Sequence, residues 1–245
     1  MLKLQASTSP RRDWAAIVFA IVLPTVVTLA YFVWADDSSA DTQQRVYSVA
    51  KVLQFAFPVF WVWAVLRRRP SIRPTSLKGV AAGIVFGLAV MAATLALYHG
   101  LLKSTELIVL AAEPIREKVS GMGLDQLWKY AVLSLFYSLL HSLLEEYYWR
   151  WFVFGQLRRF VPFGPAVVVS SLGFAAHHVV VLAIFFGITS PATWVFSLCV
   201  AVGGAVWAWI YERSGSLLGP WLSHLLVDSA IFLVGYDLVR ETLGG

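Results

Sequence analysis

HSLLEEYYWRWFVF (His141–Phe154) decides how this chain is read. Two adjacent carboxylates, Glu145 and Glu146, with Arg150 shortly after them, lie inside a run otherwise apolar enough to cross a bilayer. A charged side chain at bilayer depth costs a few kcal/mol, so an intramembrane carboxylate marks a functional site by default. Neighbouring residues on a helix project about 100° apart, so the two glutamates face different ways. Glu146 and Arg150 stand at i, i+4 and are expected to pair. Glu145 is then the freer carboxylate, and His141, one turn earlier, can share its face.

Two later apolar runs repeat the pattern. In FAAHH (Phe174–His178), Phe174 and His178 stand one turn apart, and the adjacent His177 points elsewhere. At most one of the two histidines is therefore expected in a common site. HLLVD (His224–Asp228) places His224 and Asp228 at i, i+4, where a carboxylate can fix an imidazole's tautomer and orientation. Either run alone also suits a packed histidine or an interhelical polar clasp. Three such runs on three spans point to one site in a bundle interior. Counted from the cytoplasmic helix ends, Glu145 falls about 18 Å in, His178 about 21 Å and His224 only about 6–8 Å. His224 would then act from nearer the cytoplasmic mouth, unless helix tilt or a broken helix start closes the gap, which the sequence does not decide.

The rest of the chain fits a membrane bundle. Of 245 residues, 59% are hydrophobic and 13% charged. An ordinary soluble domain carries about 25% charged residues, so the apolar surplus must face lipid. The expected spans are 14–35, 47–66, 79–101, 127–156, 164–186, 192–211 and 219–237. Between the third and fourth, residues 103–126 mix Glu106, Glu113, Arg116, Glu117 and Lys118 with apolar groups, as an interfacial amphipathic helix would. The expectation is an all-α polytopic bundle of about seven spans plus that helix, one membrane domain over 1–245.

The net charge of +5 does not indicate nucleic acid, because the basic residues cluster beside spans. Arg11-Arg12, Arg67–Arg69 with Arg73 and Lys78, and Arg158-Arg159 form the positive-inside pattern, and Asp36, Asp37 and Asp41 form an acidic outer loop. The reading is a multi-pass protein of the plasma (inner) membrane with a cytoplasmic N-terminus. Trp14, Trp34, Trp128 and Trp221 stand where an interfacial aromatic belt would. The run Trp14–Trp34 is too long for a signal-peptide core and reads as a retained helix. The single cysteine, Cys199, excludes an internal disulfide and CxxC chemistry.

EEYYWR (Glu145–Arg150), FAAHH and HLLVD match, in order, the EExxxR, FxxxH and HxxxN/D motifs, and GSLLGPWLSH leads into the last. Over roughly residues 127–237 the chain resembles the CAAX-protease and bacteriocin-processing (CPBP, or Abi) family of intramembrane proteases. Residues 1–126 read as family-variable N-terminal helices. The resemblance implies a glutamate-dependent endopeptidase acting on a protein or peptide substrate at the lipid bilayer. It makes Glu145 the general base, His178 the residue holding the attacking water, and His224 with Asp228 the oxyanion site. Glu146, Arg150, Phe174 and His141 are supporting residues. Asp228 stands where some members carry Asn, and an ionised Asp cannot donate to an oxyanion.

Catalysis without a cofactor is the preferred reading. A zinc version would use Glu145, His178 and His224, a His₂Glu set with one open position, although HExxH is absent. Two other classes compete. A non-catalytic immunity or partner-binding protein has no need for the full set of Glu145, His178 and His224. A proton-coupled transporter would place ionisable groups in repeat-related halves, whereas these gather after residue 140.

Overall fold

The computed structural model describes residues 9–34, 39–67 and 76–244, the side chains of 40 and 41 excepted. Among the described residues seven helices are long and apolar enough to cross a membrane: α1 (Pro10–Trp34), α2 (Thr42–Val65), α3 (Leu77–Leu102), α5 (Leu127–Leu157), α6 (Phe163–Phe186), α7 (Pro191–Ser214) and α8 (Leu218–Thr242). Between α3 and α5 lies the amphipathic α4 (Glu106–Gly121), its Ile108, Ala111 and Ala112 buried. Among the described residues the one β feature is an isolated antiparallel bridge, Gln126 with Gly244. The all-α bundle expected from hydropathy is what forms, because lipid requires each span to satisfy its own backbone. Asp36, Asp37, Arg68, Arg69 and Arg73, on which the loop assignment leaned, lie outside the described residues.

Local chemistry sets the helix ends. The hydroxyls of Ser39, Ser76 and Ser190 accept from the backbone N–H groups of Thr42, Gly79 and Ala192, capping α2, α3 and α7. Gly215, at φ 68°, ends α7 in the left-handed conformation that glycine adopts without penalty. Arg159 pairs with the buried Asp13 at 2.9 Å, and Arg158 with Glu212 at 2.9 Å. The arginines after α5 therefore clamp that end to α1 and α7.

Apolar side chains gain little by leaving hydrocarbon, so close backbone packing and polar bonds hold the bundle. Gly79, Gly83 and Gly87 recur every fourth residue on α3. A Cβ at Gly83 would strike the backbone carbonyl of Gly219, and one at Gly87 would meet the Cα of Ser223. α3 thus lies backbone to backbone against α8. Behind the site, Tyr148, Trp149, Phe152 and Phe154 of α5 pack with Phe174 of α6 and Trp207 of α7. Tyr148 donates to the Ala20 carbonyl at 2.7 Å, tying α5 to α1. Tyr130 donates to the Phe232 carbonyl at 2.8 Å, tying α5 to α8.

α5 is not one uniform helix. Phe136–His141 and Tyr147–Phe154 are π-helical, and an α-helical segment, Ser142–Glu146, lies between them and carries both glutamates. Such widened turns are frequent at functional sites. The Trp221 indole N–H donates to the Leu139 carbonyl within the first π-helical stretch.

Candidate active site

The buried Glu145 carboxylate faces three imidazoles. Its Oε1 lies 3.4 Å from His177 Nε2, and its Oε2 lies 3.7 Å from His224 Nε2 and 3.9 Å from His141 Nδ1. The His177 contact is the shortest of the three, and the other two are long for direct hydrogen bonds. Asp228 Oδ1 is 3.5 Å from His224 Nε2 and closes the group from α8.

Glu146 faces the other way, as its place beside Glu145 requires. Its Oε1 lies 3.0 Å from Arg150 Nη1 and accepts from His224 Nδ1 at 2.9 Å. The Arg150 guanidinium sits 4.6 Å from the centroid of the Phe174 ring and 4.9 Å from that of Trp207. Trp207 also stacks on His224 at 4.2 Å and donates its indole N–H to Ser223 Oγ. The expected Glu146–Arg150 pair is present, and it has a second task in holding His224. A carboxylate only accepts, so His224 Nδ1 carries the proton and Nε2 is turned toward Glu145 and Asp228.

The two histidines of α6 divide as their adjacency requires. His177 reaches Glu145, stacks parallel to Trp149 and leaves Nδ1 without a protein partner. His178, the histidine at FxxxH spacing, donates Nδ1–H to the Phe174 carbonyl at 3.0 Å and packs behind His177, ring centroids 4.1 Å apart. Glu145 therefore has its nearest imidazole in His177, one residue before the motif position.

His224 is not the shallow residue that counting from helix ends suggests. α5 and α8 run antiparallel, with Tyr130 opposite Phe232 and Glu145 opposite His224. Carried along, that register sets the first turn of α8 opposite the interior of α5, whose last turns overhang it. The helix ends are not coplanar, so depth measured from them misplaces His224.

Residues 127–230 match the family model described as type II CAAX prenyl endopeptidase Rce1-like. The segment is Rce1-like. The family that the three motifs point to is the one that matches, and the Rce1-like segment contains every residue of the Glu145 cluster. No curated protein and no solved structure shows significant similarity to the chain.

Among the described residues no group of three or more His, Cys, Asp or Glu side chains is arranged to hold a metal ion. Outside the Rce1-like segment, α2 brings Lys51 and Gln54 toward the cluster. Lys51 lies within electrostatic range of Glu145, and the fully buried Gln54 leaves Oε1 without a protein partner. An ionisable residue midway along a span is the signal that marks Glu145, and Lys51 carries the same signal.

Proposed function

We propose that this protein is a CAAX-type intramembrane endopeptidase that hydrolyses a peptide bond in the C-terminal region of a membrane-associated, lipidated protein, with water activated by Glu145 and without metal. The observation that carries the reading is one buried carboxylate set among three histidines inside an Rce1-like segment.

Each residue then has a task. Water held between Glu145 and His177 gives a proton to Glu145 and attacks the scissile carbonyl carbon. The resulting oxyanion forms beside His224, whose Nδ1 is committed to Glu146 and whose Nε2–H donates when the ring carries both protons. Glu146 and Asp228 supply the counter-charge for that imidazolium once Glu145 has taken the proton from water. Asp228 therefore orients His224 rather than donating itself. As the C–N bond breaks, protonated Glu145 returns its proton to the leaving amine. His178 fixes the His177 ring from behind, and His141 flanks Glu145 on the other side. The basic clusters support a cytoplasmic N-terminus, and the reading extends to the plasma membrane.

The test is incubation of purified protein in lipid nanodiscs with a farnesylated peptide ending in a CAAX sequence, followed by mass spectrometry. Cleavage is expected with wild-type protein and not with Glu145→Gln. Equal cleavage by the two proteins overturns the assignment.

A further inference from the structure

α2 turns a polar stripe toward the site. Tyr47, Lys51 and Gln54 recur at four- and three-residue spacing, whereas Val46, Val49, Val52 and Leu53 are each at least 50% exposed on the lipid-facing side. The Lys51 ammonium lies 5.5 Å from the Tyr47 ring centroid, one turn before it, and 5.5 Å from that of Phe55, one turn after. It is thus held level with its own backbone and does not snorkel toward a helix end. The Phe55 ring in turn lies 6.0 Å from the His141 ring, which flanks Glu145.

Lys51 has no direct ion pair among the described residues, although Glu145 acts on it through space and its own charge reaches His141 and His177. A cation kept at mid-span without a contacting counter-ion is costly unless an anion arrives to meet it. A peptide cut near its C-terminus brings that anion, the free α-carboxylate.

We propose that Lys51 binds the free C-terminal carboxylate of the peptide substrate and so fixes how many residues lie beyond the cleaved bond. The assignment rests on Glu145 as the hydrolytic centre. Extended residues advance the chain by a fixed step of about 3.3 Å, so a carboxylate held at one point sets the length of the tail beyond the cleaved bond.

The experiment compares two farnesylated, internally quenched CAAX peptides, identical except for a free or an amidated C-terminus. Wild-type protein is expected to prefer the free acid by about 10- to 100-fold in kcat/KM, carried mainly by KM, as loss of a charge-assisted hydrogen bond implies. Lys51→Met should remove that preference by slowing the free acid alone, and Lys51→Arg should restore it. A wild-type protein indifferent to amidation overturns the proposal, and so does a Lys51→Met protein that keeps the preference. If Glu145→Gln is inactive in either case, the hydrolytic reading stands while the carboxylate assignment falls. Cleavage of neither peptide by wild-type protein overturns both.

Discussion

His224 Nδ1 donates to Glu146 Oε1 at 2.9 Å, so Glu146 decides which imidazole nitrogen faces Glu145. The same oxygen meets Arg150. One buried carboxylate therefore orients a functional ring and neutralises a buried guanidinium, and the two glutamates are expected to fail differently when altered.

Glu145→Gln should leave the melting temperature near that of the wild type while lowering cleavage by about 10²- to 10⁴-fold, the usual contribution of a general base. Glu146→Gln should leave Arg150 buried and unpaired, destabilising the fold by about 3–5 kcal/mol. Melting in detergent and peptide cleavage, measured on both variants, check the division. Identical profiles for the two would contradict it.

The histidine pair gives a sharper comparison. His177→Asn removes the imidazole nearest Glu145 and should cost cleavage about 10²-fold or more. His178→Asn removes only the support behind it and should cost roughly tenfold less than that. Measured kcat values in the opposite order would return the water-holding role to His178.

Activity should survive exhaustive treatment with a metal chelator, with metal content followed by mass spectrometry. Loss of cleavage that zinc restores stoichiometrically would replace the metal-free reading.

Much of this was legible in the sequence, for a physical reason. Lipid imposes both length and hydropathy on a span, so seven helices could be placed within a few residues. The i, i+4 spacing of Glu146 and Arg150 announced their pair in the same way. Which of His177 and His178 meets Glu145 was not legible, because that depends on the rotation of α6 about its axis. The depth of His224 was hidden for a related reason, since helix ends need not share a plane. Lys51 was legible by the rule that marked Glu145, yet no named motif draws attention to it. Gly79, Gly83 and Gly87 are a small-xxx-small pattern whose partner only the packing identifies.

A larger side chain on that stripe should act on the fold. Gly83→Leu would have to displace the α8 backbone at Gly219 and should cost about 1–3 kcal/mol or more, read as a lower melting temperature. Gly100→Ala, where an added Cβ meets nothing within 4 Å, is the matched control and should change little.

The contact of Gly87 with Ser223 carries this further. Ser223 precedes His224, so α3, which supplies no member of the Glu145 cluster, sets the height at which the imidazole stands. The position of His224 thus depends on a backbone contact with α3 as well as on the side chains that hold its ring. The spacing around His224 can then be altered from a helix outside the Rce1-like segment, by thickening Gly87 and leaving every member of the Glu145 cluster unchanged.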